Sequence, residues 1–166
     1  NAVINKIVNK SHDREVVGTA VDSMLNRIRK SQNRQSKWHL RTRDGGIVHL
    51  DLLIQAMRLE NGNLFNDTGQ SPSDILDRLA AVEKIRSHDF TELKTATSLF
   101  NEVHQCIRLT FGDGIHVPST LPERLRTFML TRMDLADEDQ LALLLNASLD
   151  QVRNQLLNYS RIEKVK

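Results

Sequence analysis

Apolar side chains recur every three or four positions along most of this chain, the spacing of one face of an α-helix, and polar breaks divide them into seven segments. Residues 3–9 form a short segment, apolar on one side. Ser11 or Asp13 then offers an N-cap for a helix whose stripe is Val17, Ala20 with Val21, Met24 and Ile28. The basic stretch 27–34 suits the negative end of that helix, and 31–36 reads as a polar linker. Residues 38–44 are expected to be extended or irregular, closing on Gly45-Gly46. Ile47, Leu50, Ile54 and Met57 then return to helical spacing until Asn61-Gly62-Asn63.

After a loop at 66–70, Ser71-Pro72 places a cap and a first-turn proline in front of Leu76, Leu79 and Val82. The longest helix is predicted over 90–111, with Leu93, Ala96, Phe100, Val103 and Ile107 inward and Gly112-Asp113-Gly114 as its stop. Beyond a connector at 117–120, Thr120 and Glu123 have capping-box spacing ahead of Leu125, Phe128 and Met129. Asp137 opens a short helix through Leu141, Leu144 and Leu145. Ser148 is read as the cap of a last one carrying Leu149, Val152, Leu156 and Tyr159. Amphipathic helices joined by short loops predict an all-α fold, a bundle of about six to seven helices.

Composition supports this. The 166 residues suffice for one domain with its own core. Seven glycines and three prolines are too few for the frequent turns of a sandwich or barrel. With aromatics at 4%, the core must be aliphatic. A formal charge of +2 excludes a polybasic nucleic-acid coat. Cys106 has no second cysteine to pair with, which fits a reducing, cytoplasmic compartment. No apolar run reaches the length of a membrane span. The chain begins on Asn1 rather than Met, and Asn1-Ala2 reads as an expression-tag remnant. The remainder divides into connecting helices at 3–36 and a bundle at 37–166, opened by the glycine pair.

Candidate chemistry is sparse. The six histidines, at 12, 39, 49, 88, 104 and 116, form no i, i+4 pair, and no HExxH or Cys–His cluster is present. They read as isolated surface or half-buried side chains, with no metal site and no catalytic residue in this chain. Cys106 lies beside the apolar face of the longest helix, where a small buried hydrophobe is expected rather than a nucleophile. The most unusual stretch is a basic arm from Trp38-His39-Leu40 through Arg41 and Arg43, then the glycine pair and a helix start. Free amides at that start would face an anion, with Arg41 and Arg43 beside them. Asp51, Gln55 and Arg58 share one polar stripe. Such a surface would meet a phosphate or metal–nucleotide across a domain interface. From spacing alone, an ordinary glycine turn with a solvated face is the competing reading.

This stretch resembles the signature of glutamine synthetase adenylyltransferases and their uridylyltransferase relatives: Lys-x-x-x-Gly-Gly-Ile/Leu-x-Asp-Ile-Glu-Phe-x-x-Gln. Arg41 stands for the Lys, followed by Gly45, Gly46, Ile47, Leu50, Leu52 for the Phe, and Gln55. Asp13-Arg14-Glu15 and the helix of Met24, Arg27 and Ile28 are similar to the family's connecting helix. The resemblance implies a helical companion domain that follows a nucleotidyltransferase domain, closer to the adenylylating, C-terminal half. It implies ATP and Mg²⁺ for the parent enzyme, with none bound by this chain. It also implies glutamine synthetase and the PII signalling protein as partners beside the upstream nucleotidyltransferase domain, and glutamine as a regulator. The family Asp is replaced by His49 and the family Glu is shortened to Asp51. Arg41, Arg43, Gly45, Gly46, His49, Asp51 and Gln55 are therefore the residues expected to face the partner domain or its nucleotide. Without the Gly-Ser motif and paired acids that hold Mg²⁺ in such enzymes, the chain is expected to be inactive alone.

Two other functions stay open. A helix, a turn at Asn146-Ala147-Ser148 and a second helix approximate a helix-turn-helix DNA-binding module. The near-neutral charge and the mix of Asp150, Gln151, Arg153 and Asn154 on the second helix make nucleic acid a poor partner. A plain helical protein-interaction domain, with an ordinary surface at the glycines, is the other.

Overall fold

The computed structural model describes residues 10–31, 36–65, 69–112 and 117–160. The predicted segment 3–9, most of the 31–36 linker, part of the 66–70 loop, His116 and the end of the Gly112-Asp113-Gly114 stop lie outside the described residues. Six α-helices follow in order: α1 (Arg14–Ser31), α2 (Ile47–Glu60), α3 (Pro72–Ala81), α4 (Ser87–Phe111), α5 (Glu123–Arg132) and α6 (Glu138–Ser160), with a 3₁₀ turn at Gly62–Leu64. No strand occurs among the described residues, and the fold is the all-α bundle that the periodicity predicts.

The long helices α4 and α6 pack against each other, and α2 lies in the middle, touching α1, α3, α4 and α6. Leu53 and Ile54 of α2, Leu93, Phe100 and Val103 of α4, and Leu141 and Val152 of α6 meet in one aliphatic core. α1, placed with the connecting helices by sequence, inserts Val17, Val21 and Leu25 into the same core. These residues are spaced by four and drift slowly round the helix, so the buried stripe passes through Leu25. Met24, expected inward, is 45% exposed on its flank. Asp13 rather than Ser11 caps α1, its carboxylate accepting from Glu15 N at 2.7 Å. The Ser11 hydroxyl instead reaches Asn63 at 2.6 Å.

Local signals are honoured unevenly. Ser71 accepts from Asp74 N, and the Asp74 carboxylate accepts from Ser71 N at 3.0 Å, a complete capping box with Pro72 in the first turn. These bonds hold the Asp74 carboxyl below the usual carboxylate range. Ser71→Ala is expected to lower stability by about 1 kcal/mol, read as a shifted urea midpoint at unchanged slope. The capping box expected from Thr120 does not form: α5 starts directly after Pro122, with no side-chain cap. Pro122 holds the cap position with φ −54 and an extended ψ of 139, and its side chain has no acceptor to offer. Phe128 and Leu144, expected inward, are exposed, and α4 starts at Ser87 rather than at 90. Cys106 is buried, and burial pushes its thiol up, as befits a packing residue.

The largest correction concerns the C-terminal third. The short and last helices expected on either side of Asn146-Ala147-Ser148 are one continuous helix, α6. Leu141, Leu145, Ser148, Leu149, Val152, Leu156 and Tyr159 are all buried on it. The two apolar sets are therefore in phase, and no Gly or Pro interrupts them. Ser148 is 4% exposed in mid-helix. The turn on which the helix-turn-helix reading depended is absent.

Candidate functional site

The arm before α2 is irregular, and its apolar members anchor it. Trp38 and Leu40 are buried, and the Trp38 indole donates to Ser119 O at 3.0 Å. The Arg43 guanidinium donates to Lys37 O and to the Asn146 side-chain oxygen, both at 3.0 Å. Arg43 thus ties the arm to α6, and its planar fork is already engaged within the chain.

The glycine bend follows from that anchoring. Gly45 has φ +77, and a Cβ there would sit 2.0 Å from the carbonyl oxygen of Leu149 on α6. A Cβ on Gly46 would sit 2.0 Å from Leu40 O. The pair lets three stretches of backbone cross at contact distance, which only glycine permits. The curled arm also supplies the carbonyls that complete the start of α2: Gly46 N donates to Arg43 O at 2.8 Å, Ile47 N to Leu40 O at 3.0 Å and Val48 N to Arg41 O at 3.1 Å. Gly45 N donates to His49 Nδ1 at 2.7 Å. The amides of Gly45, Gly46, Ile47 and Val48 are not free to face an anion, because the arm's own carbonyls and an imidazole have taken them.

His49 is 2% exposed, at the third residue of α2, with Nδ1 also 3.5 Å from Asp44 Oδ1. Burial lowers its pKa, Asp44 offsets this in part, and Arg29 of α1 adds to the lowering. Its Nε2 is buried with no hydrogen-bond partner among the described residues. Gly45, Gly46 and His49 thus form an internal clasp between arm, α2 and α6.

The remaining motif residues lie outward. Asp51 and Gln55 are the two exposed side chains of α2, bordered by the half-buried Val48, Leu52 and Leu59. Arg41 is exposed beside them. Partial burial raises the Asp51 carboxyl and the Arg41 charge pulls it back. Arg58, expected on the same stripe, is buried, with its guanidinium 5.4 Å from the Phe65 ring centre. Its helical phase is right, but the chain after the 3₁₀ turn folds Phe65 over that end of α2.

Sequence reasoning missed a polar cleft of about 350 Å³ at the opposite end of α2. There Glu60 accepts from the Tyr159 hydroxyl at 2.6 Å and from Arg14 at 3.0 Å. Arg14 stacks 4.1 Å over the Tyr159 ring, a cation–π contact. Burial and Glu60 together raise the phenol. The signal was weak, because Arg14 and Tyr159 are far apart in sequence. Among the described residues no group of three or more His, Cys, Asp or Glu could hold a metal ion. No helix there is long and apolar enough to cross a membrane.

No protein-family model matches the chain, and no solved structure matches it. Curated relatives do. A protein of Bartonella quintana is 28% identical over 131 residues, covering 79% of this chain and 13% of its own length. One of Rhodopseudomonas palustris is 23% identical, covering 81% of this chain and 14% of its own length. One of Bradyrhizobium diazoefficiens is 22% identical over 91% of this chain. Each carries the name bifunctional glutamine synthetase adenylyltransferase/adenylyl-removing enzyme. This chain therefore spans about one seventh of the length of the relatives it matches.

Proposed function

We propose that this chain, which matches glutamine synthetase adenylyltransferases at the level of the family, is a helical companion domain that docks on a nucleotidyltransferase domain of its parent enzyme. The observation that carries the reading is the division of labour within the motif. Its glycines and His49 are sealed inside, while Asp51 and Gln55 emerge on the outer ridge of the central helix with Arg41 of the arm close enough to act on Asp51. The half-buried Val48, Leu52 and Leu59 border these polar groups, so the ridge offers a partner apolar area as well as charge.

In this reading Arg41 and Asp51 meet complementary groups of the catalytic domain, and Gln55 offers an amide to its backbone. ATP and Mg²⁺ belong to that other domain, as does the transfer of AMP to or from glutamine synthetase. PII protein and glutamine act on the assembled enzyme in the cytoplasm. This chain supplies alignment and regulation, and by itself transfers no AMP.

The test is titration of the separate nucleotidyltransferase domain onto this chain. Arg41→Ala with Asp51→Ala is expected to weaken docking about tenfold or more while the melting temperature stays where it was. It should also slow adenylylation of glutamine synthetase by the intact enzyme. Unchanged docking and unchanged adenylylation would return the chain to a plain helical interaction domain whose binding surface lies elsewhere.

A further inference from the structure

We propose that His49 is a proton-operated latch: neutral, it holds the Gly45 amide and seats the glycine bend on α6; protonated, it turns to Asp44 and lets the bend lift away. This inference stands whether or not the docking reading is right.

The geometry defines two positions for one ring nitrogen. Gly45 N–H donates to Nδ1 at 2.7 Å, so Nδ1 carries the lone pair and the neutral ring carries its proton on Nε2. Asp44 Oδ1 waits 3.5 Å from the same Nδ1. A proton on Nδ1 reverses both relations. The Gly45 amide then faces another N–H and loses its acceptor, while Asp44 gains a charged donor. The proton itself comes from solvent and stays on the ring, so no further group is consumed. Gly45 is the residue where an added Cβ would lie 2.0 Å from the Leu149 carbonyl oxygen, so losing its hydrogen bond acts where arm and α6 touch.

The surroundings set the sense of the switch. Asp44 in the bend favours the protonated ring and Arg29 of α1 opposes it. From α6, Arg153 bonds Asp44 at 3.4 Å and also pairs with Asp150. The carboxylate is therefore shared with a second cation until the imidazole competes for it. Burial holds the imidazole below its ordinary value of 6.5. The stability this contact adds is complete above pH 6.5, where both folded and unfolded chains carry a neutral ring. It declines as the pH falls below that value toward the lowered folded one, because the unfolded chain takes up the proton first. Among the described residues Nε2–H has no partner, so there the neutral ring's one strong bond is at Nδ1, where the balance between the two positions is set.

Amide exchange of this chain between pH 7.5 and 5, corrected for intrinsic rates, reads the latch at Gly45 itself and not at the other histidines. Protection of the Gly45 amide is expected to fall about tenfold, the weight of one buried hydrogen bond, as His49 titrates. In His49→Asn the side-chain oxygen keeps an acceptor that does not titrate, and the fall should vanish. A protection factor that ignores the His49 titration, or an equal fall in His49→Asn, overturns the proposal. Should that variant fail to fold, the ring-nitrogen shifts of the unaltered chain at pH 7.5 decide. A protonated Nδ1 overturns the latch, and a protonated Nε2 upholds it.

Discussion

Gly45→Ala is expected to cost at least ~3 kcal/mol, a fifth or more of the roughly 5–15 kcal/mol that holds a domain together. Two independent penalties add. The residue has φ +77, where an L side chain pays roughly 1–2 kcal/mol. Its new Cβ would also lie 2.0 Å from Leu149 O and 2.8 Å from Leu149 C. Those are backbone atoms in the middle of α6, so no side chain can swing aside to relieve the overlap. Either the bend or the helix must move, and both are tied down by Arg43 and by the amides of α2. Gly46→Ala separates the terms. Its Cβ meets Leu40 O at the same 2.0 Å, but its φ is −80, so it carries the overlap without the dihedral cost. Urea unfolding of the two variants should rank Gly45→Ala as the more damaging. A loss below ~1 kcal/mol for Gly45→Ala would mean that the bend is not seated on α6 as described.

Ala147→Pro should cost ~3 kcal/mol or more and remove helical signal in the far ultraviolet. Ala147 is exposed, so no packing is lost, and the whole effect comes from the backbone. A proline there deletes one hydrogen bond in the interior of α6 and drives its ring into the preceding turn. Were 146–148 a turn between two helices, the same substitution would be tolerated within about ±0.5 kcal/mol. The experiment thus decides directly between one helix and two, and a mild phenotype would restore the helix-turn-helix architecture that the continuous helix removes.

Both predictions mark places where local reading of the chain reached its limit. Asn146-Ala147-Ser148 has good capping chemistry for a helix start, and a local rule reads it so. The outcome was decided by Leu141, Leu145, Leu149, Val152 and Leu156 lying in register on a single face against α4, since burying that face outweighs one cap. Met24 shows the same limit on a smaller scale. It fits an apolar stripe on α1, but the packing axis of α1 on α2 selects Leu25 one position later.

At the motif the division is equally physical. The spacing placed Asp51 and Gln55 on one face of a helix, and they are on one face. It also placed Arg58 there, which Phe65 covers. Neither composition nor period could show that the arm curls back so that its carbonyls accept from the amides of α2, because that depends on Trp38 and Leu40 finding room in a core built by distant helices.

Periodicity, few turn residues, a strong helix start at Ser71-Pro72 and a strong stop at Gly112 determined by themselves that this is an all-helical chain with an aliphatic core. Those are properties of local geometry and of the hydrophobic effect, which act along the chain. Which surfaces remained free was decided only in three dimensions. The glycine pair looked available from its neighbours, and it became a contact between backbones because α6 at Gly45 and the arm's Leu40 carbonyl at Gly46 each pass 2.0 Å from where a side chain would begin.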